Sequence, residues 1–184
     1  MKLNQTEASM QIQSFPPIAN EKSILLILGT MPGEESIRKQ EYYGNPKNLF
    51  WDILYRILQP EWDFYKTVHD SESYQSRLQL LEENKIALWD NLKYCDRIGS
   101  LDKNIRNHVK NDFASFFREY PNIRKVICNG ELAYKYFKES NQAICEKGDI
   151  IIRKVPSTSP ANATNSFAKL RDWKEEIFSV LQLS

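Results

Sequence analysis

The stretch Leu25-Leu26-Ile27-Leu28-Gly29-Thr30-Met31-Pro32-Gly33 decides how the rest of the chain is read. From Ser23 to Leu28 the apolar run is short and continuous, the pattern of a parallel strand covered on both faces. Gly29 and Pro32-Gly33 then break it into a turn. A second run follows, Tyr42-Tyr43-Gly44-Asn45-Pro46-Lys47-Asn48-Leu49-Phe50-Trp51. Asn45-Pro46 has the form of an N-cap with proline at the first helical position, which predicts a helix to about Leu58, stopped by Pro60. Leu49, Phe50, Ile53, Leu54, Ile57 and Leu58 recur at helical spacing and form one apolar face. Asn48 falls opposite the centre of that face, where a core does not need it.

Working outward, residues 1–22 are polar and interrupted by Phe15-Pro16-Pro17, an extended lead-in to one domain spanning 1–184. Residues 61–70 are aromatic and irregular, and a helix is expected from about Glu72 to Asn84. Strands are expected at Lys85–Trp89, Arg124–Cys128 and Asp149–Val155, with helices at Val109–Tyr120, after Gly130, and from about Ser166 to Leu181. Lys93–Asp102 reads as a loop. Strands alternating with helices predict an α/β fold, a three-layer α/β/α sandwich around a mainly parallel four-stranded sheet. In open sheets of this kind ligands bind beyond the strand C-termini. Four strand ends carry small or polar residues: Gly29-Thr30, Asp90-Asn91, Asn129-Gly130 and Ser157-Thr158.

Composition bounds the function classes. At 184 residues the chain is long enough for a real core. No apolar run approaches the roughly 20 residues of a membrane span, and the N-terminus lacks a signal-peptide core, so a cytoplasmic location is expected, or nuclear in a eukaryote. Cys95, Cys128 and Cys145 are odd in number and widely spaced, which fits structural thiols better than disulfides or a metal site. A net charge of +1 means that any polyanion site must be a local patch. Only two histidines exist, His69 and His108, so a His-centred triad is hard to build. G-x-S-x-G, the P-loop and H-E-x-x-H are absent. What remains is a site of backbone amides, hydroxyls, side-chain amides and aromatics. Such a site suits a planar heterocycle, stacked on a ring and read along its edge. Phe50 and Trp51 flank the loop–helix junction, where either stacking or core packing explains them.

The segments Gly29–Gly33, Tyr42–Trp51 and Val155-Pro156-Ser157-Thr158-Ser159-Pro160-Ala161-Asn162-Ala163 resemble the uracil-DNA glycosylase superfamily, in particular its hypoxanthine-DNA (deoxyinosine) glycosylase branch. Leu88-Trp89-Asp90, Cys95–Asp102 and Cys128-Asn129-Gly130 fit the same branch, and the likeness runs from about Phe15 to Trp173. It implies a monofunctional, single-subunit enzyme of base excision repair, without cofactor or metal. Such an enzyme flips a deaminated base from DNA and hydrolyses its N-glycosidic bond. Hypoxanthine is the expected base, with uracil or xanthine as further candidates.

Much of the superfamily carries an Asp or Asn where this chain has Met31, and a histidine where it has Pro156-Ser157-Thr158-Ser159. The resemblance therefore shifts the catalytic role to Asn48, whose carbonyl can aim water at the anomeric carbon; a helix-start hydrogen bond is the plainer alternative. Gly29, Thr30, Met31, Pro32, Tyr43, Phe50, Asp90 and Asn129 are the implied base pocket, with Asp90 either accepting from a base N–H or capping a turn. Ser157, Thr158, Ser159, Asn162, Lys47 and Arg97 are the implied DNA contacts, and the small residues of Ala161–Asn165 form a weak wedge. Without a histidine, the leaving base would rely on backbone N–H groups, hydroxyls or its own protonation, which suits a purine. Two other readings stay open: a non-catalytic nucleotide- or nucleic-acid-binding module of the same fold, and an α/β enzyme acting on a small molecule.

Overall fold

The computed structural model describes residues 10–181. In chain order its elements are β1 (Met10–Gln13), β2 (Leu25–Gly29), α1 (Glu34–Lys39), α2 (Phe50–Leu58), α3 (Val68–Ser71), α4 (Tyr74–Glu83), β3 (Ile86–Asp90) and β4 (Leu92–Arg97). A 3₁₀ turn at Asp102–Asn104 follows, then β5 (Arg106–Lys110), α5 (Phe113–Glu119), β6 (Lys125–Asn129), α6 (Glu131–Ser140), α7 (Gln142–Lys147), β7 (Ile151–Val155) and α8 (Ser166–Leu181).

The expected sheet is present, four parallel strands in the order β3-β2-β6-β7. Every residue of β2, β3 and β6 is buried, as continuous apolar runs require when both faces are covered. Alternation splits each strand between two cores. Leu25, Ile27, Leu88 and Ile127 face α2, α4 and α8 through Phe50, Trp51, Leu54, Leu81, Trp173 and Ile177. Leu26, Leu28, Ala87, Val126 and Cys128 face α5 and α6 through Phe113, Phe116, Ala133 and Phe137. The outer edge of β3 is closed by Ile18, which exchanges backbone hydrogen bonds with Leu88 at 2.8 and 2.9 Å. The parallel register pairs Gly29 with Asp90 and Asn129 with Val155, so the strand C-termini finish together at one edge.

A second sheet, antiparallel in the order β1-β4-β5, was not expected. It corrects three expectations. Residues 10–13 of the lead-in are a paired strand (residues 1–9 lie outside the described residues), the first half of Lys93–Asp102 is strand, and Arg106–Lys110 is strand where a helix was expected from Val109. α5 begins only at Phe113, capped by Asp112, whose side chain accepts from Ser115 N–H at 3.0 Å. These strands are thinly apolar: Ile12, Leu92 and Cys95 make a small core with Met31 and Ile105, while β5 is almost wholly exposed. Asn91 turns the chain from one sheet into the other. Its amide donates to the carbonyls of Gly29 and Ala133 at 2.9 and 3.0 Å, which satisfies a buried polar side chain at a strand junction.

α2 also begins later than its sequence suggests. Pro46-Lys47 is a turn rather than the first helical turn, and the helix opens at Phe50. Asn45 Oδ1 accepts from Lys47 N–H, and Asn48 Oδ1 accepts from Phe50 N–H at 3.0 Å. These are Asx-type turns, the local alternative that asparagine offers to helix continuation.

Candidate active site

A cavity of about 510 Å³ opens at the C-terminal edge of the parallel sheet. Two buried tryptophans fix the loops around it. Trp51 Nε1–H donates to the Tyr42 carbonyl at 2.9 Å, and Trp173 Nε1–H donates to the Pro156 carbonyl at 3.0 Å. Each indole thus anchors a loop to the core while its own donor is satisfied.

The floor is the Gly29–Asp90 pair. A Cβ on Gly29 would lie 2.3 Å from Asp90 Oδ1 and 3.1 Å from Tyr43 Oη, so only glycine leaves room for that carboxyl. Asp90 is 4% exposed, and its Oδ2 has no hydrogen-bond partner. Burial raises its pKa to about 7; the charge of Asp102 adds to the shift and Arg97 opposes it. A carboxyl poised near neutrality inside a cavity, with one oxygen unemployed, is set to meet a ligand polar group.

One wall is Tyr43, whose ring stacks on Phe50 with centroids 3.8 Å apart and planes 15° from parallel. Phe50 is fully buried and lies behind Tyr43, so it does not line the cavity. Tyr43 holds a left-handed backbone, φ 53°, a conformation bulky residues rarely adopt outside functional sites. Burial pushes its phenol well above the usual range, keeping it a neutral hydroxyl. That hydroxyl accepts from Asn129 Nδ2–H at 3.0 Å.

The same Asn129 amide donates to Thr158 Oγ1 at 2.9 Å, and its carbonyl accepts from Thr158 N–H at 2.9 Å. Thr158 is fully buried, and its carbonyl accepts from Leu49 N–H at 3.1 Å. One asparagine at the end of β6 therefore ties together the loop after β7, Tyr43 and, through Thr158, the start of α2. Gly130, at φ 101°, lets this happen: a Cβ there would meet Ser157 Cβ at 2.9 Å. Farther along the loop, the buried Lys169 ammonium donates to the Asn162 carbonyl at 3.0 Å, and burial lowers its pKa.

Of the residues singled out in the sequence, Gly29, Thr30, Met31, Pro32, Tyr43, Asn48, Asp90, Asn129, Ser157, Thr158, Ser159 and Asn162 all line this cavity. Phe50, Lys47 and Arg97 do not. Lys47 is exposed on the turn before α2. Arg97, expected at a DNA surface, is 3% exposed. Its guanidinium donates to the Gly99 carbonyl at 2.8 Å and to the Pro32 carbonyl, so it braces the turn after β2. Asn48 is half-buried at the rim; its carbonyl already accepts from Phe50 N–H and keeps a second lone pair.

Asp102 and Leu101 also line the cavity, beside Thr30 and Met31. They lie some 70 residues after that turn in sequence, and only the β3–β4 crossing brings them back. Among the described residues no group of three or more His, Cys, Asp or Glu side chains is placed to hold a metal ion, and no helix is long and apolar enough to cross a membrane.

Comparison with known proteins assigns the chain to a family. The uracil DNA glycosylase superfamily model matches residues 16–182. A hypoxanthine DNA glycosylase of Methanosarcina barkeri (strain Fusaro / DSM 804) is 39% identical over 127 residues, 69% of this chain and 76% of that protein. A hypoxanthine DNA glycosylase of Methanosarcina acetivorans is 33% identical over 162 residues, 88% of this chain and 95% of that protein. A solution NMR structure from Methanosarcina acetivorans, of a candidate uracil DNA glycosylase, superposes with a TM-score of 0.75 at 32% identity, covering 93% of this chain and 99% of that one. By sequence and by fold, the chain belongs to the uracil DNA glycosylase superfamily.

Proposed function

We propose that the chain is a monofunctional DNA glycosylase of base excision repair that removes a deaminated base from DNA, hypoxanthine first, with uracil and xanthine as further candidates. The observation that carries this reading is the placement of Asn48 and Asp90 in one cavity, each with an unused oxygen lone pair. The target nucleotide leaves the base stack and its base enters the cavity, as chemistry at a buried glycosidic bond requires.

Hypoxanthine, uracil and xanthine share a lactam edge, an N–H donor beside a carbonyl acceptor. A neutral carboxyl at Asp90 complements both atoms at once, through its carbonyl oxygen and its O–H. The stack of Phe50 beneath Tyr43 stiffens the aromatic wall beside the base. Asn48 uses its remaining carbonyl lone pair to hold water against the anomeric carbon. The C1′–N bond breaks with oxocarbenium character, so the water needs placement more than deprotonation. The water oxygen bonds to C1′, its proton passes to solvent, and the bond pair leaves with the base. A purine eases that departure by accepting a proton on its imidazole ring, which suits a site with no histidine on its walls. Among the described residues no lysine lines the cavity, which favours hydrolysis over the Schiff-base chemistry of a lyase.

The test is incubation of the full chain with duplexes carrying one hypoxanthine, uracil or xanthine, followed by alkaline cleavage at abasic sites. Strand scission that depends on the enzyme, fastest for hypoxanthine, is expected. Tight DNA binding with no base release from any of the three would replace this reading with that of a non-catalytic binding module.

A further inference from the structure

Leu101 is the large aliphatic side chain of the cavity wall that stays substantially in solvent, 44% exposed, whereas Met31 and Tyr42 on the same wall are buried. A single exposed leucine is ordinary on a globular surface. Its mounting is what sets it apart. The Gly99 carbonyl is held by Arg97, and Ser100 Oγ accepts from Glu34 N–H at 3.0 Å. Behind it, Asn104 Nδ2–H donates to the Ile98 carbonyl at 2.9 Å and Asn104 N–H to the Leu101 carbonyl at 3.0 Å. The loop is therefore braced on both sides of Leu101, with the side chain left projecting at the rim. Exposed Lys103 and Arg106 follow it, where phosphates would flank an inserted side chain.

The opposite lip, residues 157–162, contributes only hydroxyls, a proline, an alanine and an amide. It has no side chain with the apolar bulk to replace a base in a stack. Phe167 is more exposed, at 84%, but it stands at the start of α8 and does not line the cavity. We infer that Leu101, rather than the Ala161–Asn165 loop, is the wedge that fills the gap in the DNA when the base enters the cavity. An apolar wedge between base steps offsets part of the stacking lost on extrusion. The inference rests on the glycosylase reading above, and makes Leu101 a positioning residue for that reaction.

A wedge matters in proportion to how firmly the base is held in the duplex. Single-turnover base release is compared for Leu101→Ala on hypoxanthine opposite cytosine and on hypoxanthine opposite a tetrahydrofuran abasic analogue, where pairing is absent. The paired substrate is expected to slow by about tenfold or more and the unpaired one by less than about threefold, because extrusion limits only the first. Leu101→Met, which keeps apolar bulk, is expected to restore most of the loss. Circular dichroism confirms that the variants fold. Equal slowing on both substrates, or none on either, overturns the wedge and leaves the glycosylase reading standing. Wild-type chain that releases base from neither overturns that reading and the wedge with it.

Discussion

Asn129 and Thr158 are joined by reciprocal hydrogen bonds: the Asn129 carbonyl accepts from Thr158 N–H at 2.9 Å, and the Asn129 amide donates to Thr158 Oγ1 at 2.9 Å. The pair fastens the loop after β7 to the end of β6, and a third bond extends it to Tyr43. The asparagine that lines the cavity floor is thus already employed in holding two of its walls.

Replacing Asn129 with alanine strands a buried Thr158 N–H and frees the loop. Each orphaned buried group costs about 1–3 kcal/mol, so urea unfolding should show a loss of that order. Base release should fall further than stability, since Ser157 and Ser159 lose their fixed positions. A variant that keeps wild-type stability and rate would show that the loop is held by other means.

Asp90 carries the pH dependence. Its folded pKa is about 7, whereas an unfolded aspartate titrates near 4, so folding takes up a proton between those values. Wild-type stability therefore falls as pH rises from about 4 to about 7, and the penalty is complete above that window. Asp90→Asn removes this charge. The variant should gain stability over wild type at pH 8 relative to pH 4, by an amount on the order of a few kcal/mol. If the neutral carboxyl reads the lactam edge, wild-type base release declines as pH rises through about 7, and the Asp90→Asn profile lacks that decline. A decline retained in Asp90→Asn would assign it to another group.

Asn48→Ala removes the water-positioning carbonyl and the turn bond to Phe50 N–H. Because Asn48 is half-buried at the rim and loses one local turn bond, the stability cost is small, about 1 kcal/mol. Base release should drop by roughly 10²–10³-fold, the usual loss for a positioned dipole. Affinity for an uncleavable duplex should change little. Full activity in this variant would remove Asn48 from the chemistry.

Gly29→Ala places a methyl 2.3 Å from Asp90 Oδ1 and should displace the carboxyl. A cost of about 1–3 kcal/mol is expected from overpacking, together with loss of base release. Combining it with Asp90→Gly relieves the overlap, so the double variant should regain stability without regaining activity. Additive losses in the double variant would show that the two positions do not collide.

The parallel sheet was legible in the chain because its signal is local. Leu25–Gly29, Ile86–Asp90 and Lys125–Asn129 are buried on both faces, and only a continuous apolar run satisfies that. α8 was legible at both ends for the same reason, a sustained amphipathic period. The antiparallel sheet was not, because β5 packs so little of itself that Arg106–Lys110 carries no period to read, and Val109 stands 53% exposed. The start of α2 is ambiguous in the sequence because asparagine caps a helix and closes an Asx turn with the same carbonyl.

For the site, the sequence by itself determined which residue types arrive at the strand ends, since topology sends Gly29, Asp90, Asn129 and Ser157 to one edge. Only the tertiary structure decided what each of them does there. Arg97 and Lys47 look alike as cations in a sequence, yet one is buried beneath the Pro32 turn and the other stands in solvent. Phe50 and Tyr43 look alike as rings, yet one backs the other. Burial and hydrogen-bond partners follow from contacts between residues far apart in the chain, such as Asn129 with Thr158 and Asp90 with Gly29. No local pattern encodes those distances; the packed fold does.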